Sequence, residues 1–138
     1  MSKIFERIDK YTALVMQPHV YVAEGRDDIK RNLDRALNLI DYGVGYFWEL
    51  PARLVVFPEY FMQGVTTPGK GEHGIDDFMK KAITLDGPEM QALGDKAREY
   101  NLYIAGGGVI EQVPEFPDRW FNTAFIIGPT GEVVLRYH

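Results

Sequence analysis

The chain has 138 residues, which accommodates one domain with a real core and not two. Hydrophobic residues make up 46% and charged residues 25%, the balance of a soluble globular fold, and a net charge of −5 argues against nucleic acid as a partner, which needs a clustered basic face. There is no cysteine, so a disulfide framework, a thiolate metal site and a cysteine nucleophile are all excluded within these residues.

Met1 to Lys10 is polar and mixed in charge, without the apolar core of a signal peptide. No segment approaches the roughly 20 apolar residues of a membrane span. A cytoplasmic protein with no membrane contact is the expectation.

Residues 11–17 are apolar and partly β-branched, closed by Pro18, and predict a buried strand. Residues 26–41 carry Ile29, Leu33, Ala36, Leu37 and Ile40 at helical spacing, with Asp27 or Asp28 available as N-cap and Gly43 and Gly45 as the end. Leu54 to Phe57 is a short strand stopped by Pro58, which completes a β-α-β unit. Asp76-Asp77 is expected to cap a short helix over 78–83. A further helix opens at Asp86-Gly87-Pro88-Glu89, with Asp86 as cap and Met90, Leu93, Ala97 and Tyr100 as its buried stripe. Residues 102–110 predict a strand containing Gly106-Gly107-Gly108, where close backbone approach or a bulge accounts for the glycines. Residues 122–127 and 132–137 predict two strands joined as a hairpin by Gly128-Pro129-Thr130-Gly131. The order predicts an α/β fold with a mixed β-sheet.

Leu54 to Gly64, LVVFPEYFMQG, is the feature that points to chemistry. A buried strand runs into Pro58, and a carboxylate, Glu59, follows at once. Ligands of open α/β sheets sit outside the carboxyl ends of the strands, which is where Glu59 falls. Pro58 fixes the local backbone. An aromatic setting of Phe57, Tyr60 and Phe61 would desolvate the carboxylate and raise its pKa, as suits a general base near neutrality.

That segment resembles the one carrying the catalytic glutamate in the nitrilase superfamily of carbon–nitrogen hydrolases, and its F-P-E-Y form resembles the aliphatic amidase and formamidase branch most. Leu102 to Glu111 (LYIAGGGVIE) is similar to the family's glycine-containing strand, and Trp120 to His138 (WFNTAFIIGPTGEVVLRYH) to its N-T-A strand pair. The resemblance implies that Glu59 is the general base and that Tyr60 is substrate-proximal. It implies that a catalytic lysine would directly follow Tyr137-His138 and a cysteine nucleophile would lie further on. It implies that residues 1–138 are the N-terminal portion of a single hydrolase domain, with helices on one face of the sheet, part of a four-layer α-β-β-α sandwich. An isolated half would then expose a sheet edge and an apolar face. It also implies a small amide or nitrile as substrate, a homo-oligomer, and no organic cofactor or metal. A chain lacking the lysine and the cysteine is expected to be inactive alone. The contrasting reading is a truncated or degenerate relative that serves as a non-catalytic binding or assembly module.

Other patterns are weaker. Gly64 to Gly71 fits a phosphate-binding loop except at its last position, where Gly71 replaces Ser or Thr. His19, His73 and His138 have no metal-ligand spacing. Glu111 follows the third strand and could sit near Glu59, with a structural hydrogen-bonding role expected. The charged run from Arg26 to Arg35 predicts a solvated helix face.

Overall fold

The computed structural model describes residues 9–46, 49–64 and 75–138, the side chains of Ile75 and Asp76 excepted. The elements in chain order are β1 (Thr12–Val15), α1 (Arg26–Tyr46), β2 (Ala52–Phe57), α2 (Ile75–Lys81), α3 (Pro88–Tyr100), β3 (Tyr103–Gln112), β4 (Trp120–Ile127) and β5 (Val133–Tyr137). They build one mixed sheet in the order β1-β2-β3-β4-β5. β1, β2 and β3 run parallel through helical crossovers, and β4 and β5 return antiparallel. The expected hairpin is closed by Gly131 N–H donating to the Gly128 carbonyl and Gly128 N–H donating to that of Glu132.

Side-chain alternation decides which face of the sheet is covered. Leu14, Val55, Phe57, Ile104, Phe125 and Ile127 point one way and are buried against Ile29, Leu33, Ala36 and Ile40 of α1 and Met90, Leu93 and Ala97 of α3. Val15, Tyr103, Leu135 and Tyr137 point the other way and are exposed. That second face carries a groove of about 540 Å³ whose lining includes Tyr11, Leu54, Tyr103 and Ile126. The apolar face expected of a half sandwich is thus present. α2 rests against β3 and β4, with Phe78 stacked on Trp120 at 4.7 Å.

The helix ends depart from expectation for tertiary reasons. α1 continues through Gly43 to Tyr46. A Cβ at Gly43 would lie 2.9 Å from Leu14 Cδ1, so this glycine clears the approach of α1 to β1 rather than ending the helix. Asp27 and Asp28 lie in the first turn, and Asp28 Oδ2 accepts the Glu24 N–H at 3.1 Å. At α3 the N-cap is Gly87, not Asp86, with Pro88 at the first helical position. Glu89 in that first turn is buried and pairs with Arg26. α2 starts at Ile75, so Asp77 lies inside it and accepts from Lys81 Nζ at 3.0 Å.

One polar cluster ties α1 to α3. Asp41 Oδ1 accepts from Lys96 Nζ at 2.6 Å and from the Tyr100 hydroxyl at 2.7 Å. Burial opposes ionisation of Asp41, but the hydrogen bonds from Lys96 and Tyr100 outweigh it and hold its carboxyl below the usual range. The bond to Asp41, then burial, then the Asp41 charge push the Tyr100 phenol up to about 12.

Candidate active site

β2 is hydrogen-bonded on both sides, and its last residue, Phe57, is buried in the core. Pro58 has no N–H to extend the ladder, so the chain leaves the sheet there, and Glu59 opens a turn. The turn is over-determined. Tyr60 adopts φ 54°, a left-handed conformation uncommon for a non-glycine residue. Its N–H donates to the Gly108 carbonyl at 2.8 Å, and its own carbonyl accepts from Gly64 N–H at 2.7 Å. Phe61 stacks on Phe57 at 4.5 Å, both within the core. Asn32 of α1, 2% exposed, donates through Nδ2 to the carbonyls of Met62 at 2.9 Å and Tyr21 at 2.7 Å. Its Oδ1 accepts the Tyr21 N–H at 3.0 Å. Gln63 Nε2 donates to the Ile110 carbonyl at 3.2 Å.

The Glu59 carboxylate projects beside β3 and β4 at the carboxyl end of β2. Asn122 Nδ2 of β4 donates to Glu59 Oε1 at 2.7 Å. The glycines of β3 make room for this pair. A Cβ at Gly107 would lie 2.9 Å from Glu59 N, and one at Gly108 would lie 2.6 Å from Asn122 Oδ1 and 3.1 Å from Glu59 Cγ. The β3–β4 register shifts between Gly106 and Val109, a bulge of the kind the three glycines predict.

Two expectations change here. Phe57 and Phe61 turn into the core while Glu59 is exposed, so of the three aromatic residues only Tyr60 accompanies the carboxylate. Burial and the Glu59 charge raise the Tyr60 phenol above its ordinary value, so it stays a neutral O–H donor at neutral pH. Glu111, 2% exposed, shares a side of the sheet with Phe121, across from Asn122, and its Oε1 pairs with Arg136 Nη2 at 2.8 Å. His138 Nε2 lies 3.4 Å from Glu111 Oε2 and also 2.8 Å from Arg136 Nε. A nitrogen that accepts from Arg136 carries no proton, so Arg136 is the ionic partner of Glu111.

The remaining sequence candidates stay apart from Glu59. His19 packs edge-on against Tyr21 at 4.7 Å, and His138 stacks on Phe121 at 4.5 Å. His73, and the phosphate-loop pattern beyond Gly64, lie outside the described residues. Among the described residues no group of three or more His, Asp or Glu is placed to hold a metal, and no helix is long and apolar enough to cross a membrane.

Two side chains that hold the Glu59 turn and carboxylate, Asn32 and Asn122, each carry a local signal in the sequence. Asn122 interrupts an otherwise apolar alternation of Trp120, Ala124 and Ile126. Asn32 lies on the buried stripe of α1, three residues after Ile29 and four before Ala36, within a run read as solvated. What the site offers chemically is an exposed carboxylate with one oxygen fixed, the other free to take a proton, and a phenol beside it.

Residues 12–138 match the carbon–nitrogen hydrolase family. A formamidase of Bacillus cereus is 33% identical over 128 residues, which cover 91% of this chain and 35% of the relative. A formamidase of Bacillus anthracis gives the same figures, 33% over 128 residues, 91% and 35%. The chain thus spans about a third of the length of these curated relatives. Among solved structures, an N-terminal amidase with an Asn-Glu-Ala peptide superposes with a TM-score of 0.72 at 18% identity, covering 91% of this chain and 27% of that one. Nit3 of Saccharomyces cerevisiae, a member of branch 10 of the nitrilase superfamily, gives 0.63 at 24%, covering 86% and 41%. These two likenesses concern the fold, and the sequence match concerns the family: the chain belongs to the carbon–nitrogen hydrolases.

Proposed function

We propose that this chain supplies the general base, Glu59, for hydrolysis of a small amide, with nitriles as the neighbouring substrate class. The observation that carries the reading is the Glu59 carboxylate at the carboxyl end of β2, held by Asn122 on a turn fixed through Tyr60. The formamidase relatives favour a short amide.

In this reading residues 1–138 are the N-terminal portion of one hydrolase domain, and the lysine and cysteine come from residues outside them. The thiol gives its proton to Glu59, and the thiolate adds to the amide carbon. The lysine stabilises the oxyanion. Glu59 passes the proton to the departing ammonia, leaving a thioester, then takes a proton from the water that cleaves it. Tyr60 lies beside the carboxylate as a neutral donor to the substrate. A cytoplasmic homo-oligomer belongs to the same reading, and the exposed Val15, Tyr103, Leu135 and Tyr137 support a need for a covering surface.

The test begins with the intact mass and thiol content of the gene's own product. Ammonia release from formamide, acetamide and propionamide is then measured. The expected result is turnover that falls by roughly 10²–10⁴-fold in Glu59→Gln at unchanged melting temperature. A product without a thiol that releases no ammonia would overturn the hydrolase and leave the binding or assembly module.

A further inference from the structure

Glu59 is held at two levels by β3 and β4. Its turn is anchored where Tyr60 N–H meets the Gly108 carbonyl at 2.8 Å, and its carboxylate where Asn122 Nδ2 meets Oε1 at 2.7 Å. Gly108 serves both contacts, because a Cβ there would collide with Asn122 Oδ1 at 2.6 Å and press on Glu59 Cγ at 3.1 Å. An ionised carboxylate only accepts, so the Asn122 amide must present its nitrogen to it. The bond occupies one oxygen, so proton transfer falls to the other.

A purely structural role fits Asn122 poorly. The side chain lies on an exposed strand position, where its removal buries no unsatisfied group. Asparagine is also disfavoured in strands, so β4 carries it at a cost without a compensating contact to the core.

We propose that Asn122 is the positioning residue for the general base: its amide fixes Glu59 Oε1 and leaves Oε2 as the oxygen that takes the proton. This rests on the hydrolase reading, in which Glu59 is that base.

The experiment has two arms on the same gene product. In the first, the side-chain amide signals of Asn122 are followed by ¹⁵N–¹H NMR during acid titration. They should move as the carboxylate protonates, and that movement should vanish in Glu59→Gln. In the second, Asn122→Leu and Asn122→Gln are assayed on formamide. Asn122→Leu should lower kcat by roughly 10–100-fold, as displacement of a catalytic group does, with KM within about twofold. Asn122→Gln should recover part of kcat. Asn122 signals indifferent to pH, or an Asn122→Leu enzyme with wild-type kcat, would overturn the proposal. If no form releases ammonia, the NMR arm still decides: a titration lost in Glu59→Gln keeps the positioning of the carboxylate while the hydrolase reading falls.

Discussion

Gly94 of α3 and Gly131 of the β4–β5 turn meet backbone to backbone: a Cβ at Gly94 would stand 2.5 Å from the Gly131 carbonyl oxygen. Alanine is the better helix former by about 1 kcal/mol, so on an open helix face Gly94→Ala would stabilise. Here it must push the hairpin turn away from α3. A net loss of about 1–3 kcal/mol is expected in urea denaturation. A variant as stable as wild type would show that the turn yields freely.

The cluster of Asp41, Lys96 and Tyr100 predicts the pH response of the α1–α3 contact. The Tyr100 phenol is raised to about 12 from an ordinary 10.0. Its contribution to stability is therefore full below pH 10 and lost as pH rises through 12. The Asp41 carboxyl is lowered from 3.8, so its contribution is present above that pH and lost as pH falls below it. Of the eight tyrosines, Tyr60 and Tyr100 should ionise late in an ultraviolet titration, and the Tyr100 step is the one tied to Asp41. Asp41→Asn should bring it back into the main transition. Because Asp41 is 40% exposed, the loss at neutral pH should be only about 0.5–1 kcal/mol.

Asn32 is bonded through both ends of its amide inside the protein. Asn32→Ala would strand the carbonyls of Met62 and Tyr21 and should cost about 2–4 kcal/mol in thermal unfolding. Asn32→Asp tests the orientation: it keeps the shape but faces an acceptor to those two carbonyls, so it should be no more stable than the alanine. An aspartate variant close to wild type would contradict the hydrogen bonds described.

Glu111 is almost fully enclosed, and Arg136 is its charged partner. Arg136→Met leaves that carboxylate buried with only the His138 imidazole beside it. The partner is 39% exposed, which reduces the loss to about 1–3 kcal/mol. Adding Glu111→Gln should return more than half of it, a coupling read from the double-mutant cycle in urea. Additive losses would show that the two side chains do not act as a pair.

Local pattern made most of the fold legible. Apolar runs ended by Pro58, helical spacing from Ile29 to Ile40, and the Gly128-Pro129-Thr130-Gly131 turn each specify an element from within a few residues. The placement of Glu59 was legible for the same reason, since a strand, a proline and an acid are consecutive. What stayed hidden depends on partners distant in sequence. Gly43 reads as a stop until Leu14 is seen beneath it. Phe57 and Phe61 read as a wall around Glu59 until the core claims both rings. Asn122 and Glu59 are brought together only once β3 has paired with β4.

The extra residue in β3 has a consequence for acid placement. A strand presents its side chains to opposite faces in strict succession, so one inserted residue exchanges the faces for everything after it. Ile104 and Gly106 are paired with the inward residues Ile127 and Phe125, yet beyond the bulge it is Val109 and Glu111 that continue their row. Without the bulge, strict alternation of the same residues would deliver Glu111 to the Asn122 side, a second negative charge beside Glu59, while Ile110 would turn toward Arg136. The glycine run is thus a phase shifter, and what it segregates is the exposed Glu59 carboxylate from the buried one of the Glu111–Arg136 ion pair.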